Sequence, residues 1–180
     1  MPVGPLALTD EVSMKLMDHI RKQTAKDLEA EGKAVPQHPG FAVCEKLLAI
    51  NRPGKAAGAG FYEYPQGGTK YLWTELTTMF PQTTPLSQQE MIDRMLIVQA
   101  LDTVRCVEEG VLRSVADANI GSIFGWSFSP FNGGTLQFIN AYGLEKLIER
   151  SKQLEAKYGE RFAVPKLLQE KADKGELFVD

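Results

Sequence analysis

The sequence SQQEMIDRMLIVQALDTVRCVEEG, which runs from Ser87 to Gly110, holds the strongest helix pattern of the chain. Ser87 and Glu90 form a capping box, in which the serine oxygen accepts the Glu90 amide and the glutamate reaches back. Apolar residues then recur at steps of three and four until Gly110. They are Met91, Ile92, Met95, Leu96, Val98, Leu101, Val104 and Val107. Because they cover more than half of the cylinder, we expect a long helix enclosed by its neighbours.

Helical patterns also lie on both sides of this segment. In residues 10–30 the apolar side chains form one stripe opposite the charged ones, and Gly32 follows as a stop. Ser114 is placed to cap a further helix. Together the patterns predict helices over residues 10–30, 41–50, 71–80, 87–109, 114–123, 143–158 and 165–174. Since no alternating run longer than about four residues predicts a strand, the predicted fold class is all-α.

An internal repeat relates the two halves of the chain. GPLALTDEVS at residues 4–13 resembles GTLQFINAYG at residues 134–143, and an amphipathic helix follows each. FAV followed by KLL occurs at residues 41–48 and again at residues 162–168. Two matches in the same order and at similar separation indicate two copies of one helical domain.

The two copies differ in what precedes them. The long helix of residues 87–109 stands in front of the second copy, and the first copy has no equivalent. We therefore expect a fragment of a longer protein, built as a helical bundle from a partial and a complete copy packed as one unit. Residues 1–80 would be the second part of the first copy, 81–86 a linker, and 87–180 the second copy. The missing helix would leave an apolar groove exposed, which a partner would cover.

Composition excludes several classes of protein. The chain has 180 residues, of which 43% are hydrophobic and 24% charged, as in soluble globular proteins. A net charge of −3 gives no reason to expect a nucleic-acid partner. No apolar run is long enough to predict a membrane span. Cys44 and Cys106 lie far apart in helical patterns, which indicates free thiols in a reducing compartment and predicts a cytoplasmic protein.

The residues give no catalytic constellation. Gly125–Ser129 falls one residue short of the G-x-S-x-G nucleophile motif, and no predicted strand precedes it. The only histidines, His19 and His38, are expected at the surface. Gly54-Lys55 lacks the hydroxyl residue of a phosphate-binding loop, and the scattered cysteines and histidines do not form a zinc site. We therefore assign no catalytic, cofactor-binding or metal-binding residue to this chain.

The segment FGWSFSPFNGGTLQFIN, residues 124–140, is predicted to be a structural corner. Pro130 fixes one backbone angle, and Gly133-Gly134 lets the chain turn tightly before a helix that begins at Thr135. The aromatic side chains of the segment are expected to pack this corner against the long helix. They are Phe124, Trp126, Phe128, Phe131 and Phe138.

Several motifs resemble those of one enzyme family. GKAAGAGFYEY at residues 54–64 resembles the G-x-K-x-G-x-G-F-Y-x-Y signature that ends the helical domain of 3-hydroxyacyl-CoA dehydrogenases. PVGPLALTD at residues 2–10 resembles the P-x-G-P-x-x-L-x-D motif of the same domain. A further set resembles the second helical copy of the multifunctional fatty-acid-oxidation α subunits. It lies at residues 94–96, 105–111, 116–121 and 125–134.

The chain also departs from the family pattern. Ser127 and Ser129 stand where the family pattern G-x-G-F-P-P-F-x-G-G-P-x-x-x-x-D has glycine and proline, and Asn140 stands where this pattern ends in aspartate. Ser13 replaces the glycine that usually follows Asp10. The family's NAD-binding Rossmann domain and its catalytic His-Glu pair precede the P-x-G-P motif, and none of them maps onto this sequence.

The resemblance implies the C-terminal, substrate-cleft and subunit-contact region of an enzyme that oxidises 3-hydroxyacyl-CoA to 3-ketoacyl-CoA with NAD in fatty-acid β-oxidation. Pro2, Val3, Pro5 and Leu6 would line the acyl-CoA cleft or contact the Rossmann domain as apolar walls, or would only shape the start of a helix. The chain alone is expected to be inactive. The alternative is a non-catalytic interaction module that forms a homo-oligomer through its helical faces.

Overall fold

The computed structural model describes residues 3–180 of the chain. Within them the fold is all-α, as predicted: nine α-helices are accompanied by one sheet of two short antiparallel strands. The chain divides into two compact units. The first unit ends at Thr83 and the second spans Thr84–Asp180. Each has its own hydrophobic core.

The first unit contains four helices around a small core. Its helices are α1 (Pro5–Val12), α2 (Met14–Ala30), α3 (Pro39–Ala49) and α4 (Leu76–Met79), and its strands are β1 (Tyr62–Glu63) and β2 (Tyr71–Leu72). The fully packed core consists of Met14, Leu47 and Phe61. So small a core indicates a unit of modest stability.

The helix predicted over residues 71–80 is wrong in its first half. Tyr71 lies opposite Glu63 in the strand pair, and the backbone amide of Trp73 donates to the Phe61 carbonyl at 2.9 Å. Only one helical turn, α4, follows. Pairing with a segment outside the local window therefore overrode the local pattern.

The helix predicted over residues 10–30 is interrupted at Ser13. Ser13 has φ 77° and ψ 126°, a backbone conformation that residues other than glycine rarely adopt, and it separates α1 from α2. The next amide, that of Met14, donates to the Pro53 carbonyl at 2.8 Å. In the second unit Gly143 holds nearly the same angles, φ 89° and ψ 124°, between the two corresponding helices. Ser13 is thus a serine in a position suited to glycine.

We expect the replacement Ser13→Gly to stabilise the first unit by about 1 kcal/mol, because it relieves backbone strain. The matched replacement Gly143→Ser should destabilise the second unit by a similar amount. A side chain at Gly143 would meet only the end of Lys146 at 3.9 Å, so its cost comes from the backbone. Urea unfolding measures both changes. Equal effects of the same sign at the two positions would contradict this account.

The second unit holds five helices around a larger core. They are α5 (Gln88–Glu108), α6 (Val115–Trp126), α7 (Thr135–Tyr142), α8 (Leu144–Tyr158) and α9 (Lys166–Lys174). Helix α5 packs against α7, α8 and α9 and against the 3₁₀ turn Glu160–Phe162. Ser114 caps α6 as predicted, since its hydroxyl accepts the Asp117 amide at 3.0 Å. All the helices predicted for this half are therefore present, with small shifts of their ends.

At the start of α5, one of the two hydrogen bonds of the predicted capping box is present. The Ser87 hydroxyl accepts the Glu90 amide at 3.1 Å. The Glu90 carboxylate binds α8 rather than its own backbone: it accepts from Lys157 Nζ at 2.6 Å and from the Tyr158 hydroxyl. These two hydrogen bonds lower the pKa of Glu90, the one from Lys157 most. The capping glutamate therefore joins two helices.

The prediction that neighbours enclose α5 is correct for one face of the helix and wrong for the other. One face is fully buried, at Ile97, Leu101 and Val104. Met91 and Met95, on the other face, are 46% and 50% exposed. A helix that is apolar around most of its surface is therefore covered on one side only among the described residues.

Candidate functional site

The candidate site is built on α1, whose start follows from its sequence. Pro5 occupies the first helical position, where no amide donor is needed, and Gly4 precedes it in an extended conformation. The Leu8 amide donates to the Gly4 carbonyl at 2.9 Å. Pro5, Leu8 and Val12 follow one another at helical spacing on the exposed side of α1. We call these three residues the α1 stripe.

The predicted contact residues do not share one environment. Val3 is 37% exposed and Pro5 is exposed, so both are accessible at the start of α1. Leu6 is half-buried and packs against the core of the first unit. Pro2 lies outside the described residues. Sequence analysis missed Leu8 and Val12, each 42% exposed, although their spacing from Pro5 places them on one helix face.

Asp10, on the opposite side of α1, joins the two motifs of the first unit. Its side chain is 1% exposed and accepts three hydrogen bonds from the segment that contains β1. Oδ1 accepts the Phe61 amide at 2.8 Å, and Oδ2 accepts the Tyr62 amide and the Tyr64 hydroxyl, both at 2.9 Å. The residues 4–10 and 54–64 thus form one structural element, although about fifty positions separate them in the sequence.

The same aspartate explains two glycines of the 54–64 motif. A Cβ at Gly60 would lie 2.1 Å from the Asp10 carboxylate, and one at Gly54 would lie 2.5 Å from the Asp10 carbonyl. Gly54 also has φ 135°. Both glycines are therefore required by close backbone approach to α1, and neither needs a phosphate ligand to account for it.

Arg52 fixes the other side of the 54–64 segment. Its guanidinium donates to the Gly60 carbonyl at 2.9 Å, pairs with Glu63 at 2.8 Å, and lies 4.2 Å from the centre of the Trp73 ring. A bound and stacked arginine of this kind holds its neighbours in one geometry. The segment that binds Asp10 of α1 is thus itself held by the contacts of Arg52.

Burial, and the hydrogen bond to Asp10, raise the pKa of the Tyr64 hydroxyl well above its usual value. The folded unit thus keeps a proton that the unfolded chain releases at high pH. The stability contributed by Tyr64 is present below the ordinary tyrosine pKa, about 10, and is lost as the pH rises above it.

We expect the urea concentration at the unfolding midpoint of the first unit to decrease when the pH is raised from 9 to 11. The replacement Tyr64→Phe should make this decrease smaller. Trp73 is the tryptophan of the first unit, so its fluorescence in a Trp126→Phe background follows this unit. Tyr71→Phe serves as the control, because Tyr71 is 52% exposed. An equal pH dependence in the Tyr64→Phe and Tyr71→Phe chains would contradict the role of Tyr64.

The two serines in the corner of the second unit, Ser127 and Ser129, occupy turn positions between helices. Ser127 ends α6 in a left-handed conformation, φ 59°, and Ser129 precedes the 3₁₀ turn Pro130–Asn132. Helix α7 begins at Thr135 as predicted. Asn119 Oδ1 accepts the Leu136 and Gln137 amides at 2.9 and 3.0 Å, so α6 caps α7. Sequence analysis missed this role of Asn119.

The aromatic packing predicted for this corner is half correct. Phe128 and Phe138 are buried, with ring centres 6.0 Å apart. Trp126 is 46% exposed and donates to the Gln99 side chain of α5 at 3.0 Å. Phe124 and Phe131 are 84% and 98% exposed, which contradicts the prediction. Of the five aromatic side chains, only those of Phe128 and Phe138 therefore belong to the core of the second unit.

The described residues offer few means of catalysis. His19 and His38 are exposed, and His38 accepts the Gly40 amide at the start of α3. Residues 3–180 contain no group of three His, Cys, Asp or Glu side chains that could hold a metal ion. None of the helices in that range is long and apolar enough to cross a membrane. The described strands are one antiparallel pair, so these residues do not fit the βαβ crevice that binds a dinucleotide.

Comparison with known proteins finds similarity to one enzyme family and to the subunits of one enzyme complex. Residues 1–64 match the family described as 3-hydroxyacyl-CoA dehydrogenase, C-terminal domain. The chain is 36% identical over 179 residues to the fatty acid oxidation complex subunit alpha of Vibrio cholerae serotype O1, covering 98% of this chain and 24% of the relative. The corresponding subunit of Shewanella loihica is 35% identical over 182 residues, covering 99% and 25%. The chain thus spans about a quarter of the length of these relatives.

Proposed function

We propose that this chain forms the C-terminal substrate-cleft and subunit-contact region of a 3-hydroxyacyl-CoA dehydrogenase. The match of residues 1–64 to the C-terminal domain of that family supports the proposal. The complete enzyme would oxidise a 3-hydroxyacyl-CoA to the 3-ketoacyl-CoA in fatty-acid β-oxidation in the cytoplasm. NAD, the hydride acceptor, would bind a Rossmann domain outside residues 3–180, together with the catalytic base.

The observation that carries this proposal is the Asp10 junction. It joins the two family motifs of the first unit, and the α1 stripe lies exposed on the opposite side of the same helix. An exposed apolar helix face suits one wall of a cleft for an acyl chain, or a contact with the NAD-binding domain. Val3, Pro5 and Pro2 would contribute to this wall by binding, with no acid or base role, and Leu6 would support it from the core side.

The proposal is tested by adding an NAD-binding domain to the chain and measuring dehydrogenase activity. The chain alone should form no NADH from a 3-hydroxyacyl-CoA and NAD⁺, followed by absorbance at 340 nm. Mixed with the NAD-binding domain of a 3-hydroxyacyl-CoA dehydrogenase, it should raise NADH formation above that of the domain alone. Val3→Glu and Leu8→Glu should remove the increase, whereas Leu177→Glu, exposed in the second unit, should not. Turnover by the chain alone, or an increase indifferent to Val3 and Leu8, would contradict the proposal.

A second candidate function is an interaction module without catalysis. The exposed rings of Phe124 and Phe131 favour it, since large apolar side chains at 84% and 98% exposure often mark a protein contact. On this view the chain forms a homo-oligomer. Light scattering over a range of concentrations would then give a rising mass, and Phe131→Ser would abolish the rise. A monomeric mass at every concentration would exclude it.

A further inference from the structure

Residues 177–180 of the second unit form a segment outside the helices and the strand pair. Exposure alternates along it: Leu177 and Val179 are 50% and 70% exposed, and Phe178 between them is 2% exposed. Such alternation is typical of an extended chain that lies with one side against a surface. The segment therefore contacts the second unit as a bound peptide would, through every second side chain.

Asn140 of α7 binds the backbone of this segment at one residue. Its Oδ1 accepts the Phe178 amide at 2.9 Å, and its Nδ2 donates to the Phe178 carbonyl at 2.8 Å. A side-chain amide offers both a donor and an acceptor, whereas a carboxylate offers only acceptors. The aspartate of the family pattern could not make the second hydrogen bond. The departure at Asn140 thus gives α7 a pair of contacts that recognises one residue of an extended backbone.

The ring of Phe178 belongs to the core of the second unit. Lys171 of α9 lies beside it, with Nζ 5.4 Å from the ring centre. The same Nζ donates to the Leu177 carbonyl at 3.1 Å. A buried slot with a cation at its edge selects an aromatic side chain at this position of the segment.

The carboxylate of Asp180 lies at the start of α6. It accepts the Val115 and Ala116 amides, which are the first two of the helix. Ser114 accepts the Asp117 amide at the same helix end, so the start of α6 has acceptors from two parts of the chain. Negative charge is stabilised at the N-terminus of a helix. The position two residues after the ring therefore selects a carboxylate.

The first unit holds a segment of the same chemistry. Adding 130 to a residue number of α1 or α2 gives its counterpart in α7 or α8, so Asn140 corresponds to Asp10. Asp10 accepts the amide of Phe61, which is 5% exposed, and Glu63 follows two positions later. Residues 62–63 continue into the strand pair. Within residues 3–180, by contrast, no main-chain hydrogen-bond partner holds residues 177–180, and side chains alone bind them.

We propose that α6, α7 and α9 form a binding site for extended peptide segments in which an aromatic residue is followed two positions later by a carboxylate. Residues 177–180 are its tethered ligand, and a partner protein that presents a segment of this chemistry replaces them. A second copy of this chain would offer the same segment without the tether, and it would compete poorly with a ligand held at an effective concentration of about millimolar. The inference stands on the second unit alone, independently of any dehydrogenase activity.

A fluorescent peptide with the sequence of residues 174–180, KGELFVD, tests the proposal against the full chain. It is amidated, so that the Asp180 side chain supplies the carboxylate. Fluorescence anisotropy should show the chain variant Phe178→Ala binding it about tenfold more tightly than the unchanged chain, because the tethered segment no longer competes. Peptides with alanine in place of Phe178 or Asp180 should lose this binding. The Val179→Ala peptide, changed at an exposed position, is the matched control and should keep it.

Two further measurements do not depend on the folding of the Phe178→Ala chain. Asp180 is exposed, so Asp180→Ala leaves the core in place and should also increase binding of the unchanged peptide, by a smaller factor. In the unchanged chain, hydrogen exchange of the Val115, Ala116 and Phe178 amides should report one shared opening. This opening should be more frequent than that of the Leu101 amide in the core, because the segment leaves without unfolding the unit.

Four results would overturn the proposal. The first is equal or absent binding of the peptide by the unchanged chain and both variants. The second is binding that is indifferent to the phenylalanine or the aspartate of the peptide. The third is exchange of the Phe178 amide only as slowly as that of Leu101, which would show that the segment does not leave. The fourth is self-association of the chain that Phe178→Ala abolishes, which would assign the site to a second copy. Dehydrogenase reconstitution is a separate measurement, so either proposal can fail alone.

Discussion

The replacement Asp10→Ala is expected to unfold the first unit at room temperature. It removes the acceptor of two backbone amides and one hydroxyl in a site that is 1% exposed. Each hydrogen bond to a charged group contributes about 1.5–3 kcal/mol, and orphaned buried donors add a further cost. We therefore expect a loss of about 4 kcal/mol, which is comparable to the whole stability of a unit with so small a core.

The measurement is urea unfolding followed by Trp73 fluorescence in the Trp126→Phe background. Asp10→Asn should cost less than alanine but should not be neutral, because the amide NH₂ would face a backbone donor. The matched experiment is Asn140→Asp, since Asn140 accepts the Phe178 amide and also donates to its carbonyl at 2.8 Å. A carboxylate there loses the donor. A loss below about 1 kcal/mol for Asp10→Ala would show that water replaces the carboxylate.

The second large effect is expected for Gly134→Ala in the second unit. An added Cβ would lie 2.5 Å from the Asn119 Cα, and the residue has φ 100°. Since Asn119 caps the start of α7, any shift that relieves this clash breaks its two hydrogen bonds to Leu136 and Gln137. Strain and the lost cap together should cost about 3 kcal/mol or more.

Neighbouring glycines are the controls for this prediction. At Gly133 an added Cβ would meet only the flexible side chain of Gln137, so Gly133→Ala should cost about 1 kcal/mol through its φ of 71°. At Gly121, within α6, an added Cβ would meet no atom beyond the backbone of its own helix, and Gly121→Ala should be neutral or stabilising. Urea unfolding in a Trp73→Phe background reports the second unit. Equal costs at Gly133 and Gly134 would contradict the role of Asn119.

The motif at residues 54–64 illustrates how far sequence reasoning reached. Its glycines marked a loop and carried the family resemblance, and the match of residues 1–64 confirms that resemblance. Two of those glycines, Gly54 and Gly60, are required by the close approach of Asp10, which lies far away in the sequence. Long-range hydrogen bonds leave no local periodicity, so no pattern within either segment could reveal them.

For the predicted site residues, too, spacing in the sequence identifies a helix face, whereas burial has to be taken from the structure. Helical spacing is sufficient to find the α1 stripe, whereas the predicted contact residues Pro2, Val3, Pro5 and Leu6 are neighbouring positions of one motif. Burial separates Leu6 from Val3 and Pro5, because successive residues of a helix point in different directions. Their role in a cleft stays a prediction. The division into a partial copy, a linker and a complete copy also stays a prediction.

The sequence by itself determined the all-α class, the extent of most helices and the caps at Ser87 and Ser114, because these depend on interactions within a few residues. Tertiary structure alone decided which apolar side chains are covered. Met17 and Leu147 occupy the same position of a repeated helix, yet one is exposed and the other buried. Burial depends on what packs from outside the segment, and so the exposure of each apolar side chain is decided only in three dimensions.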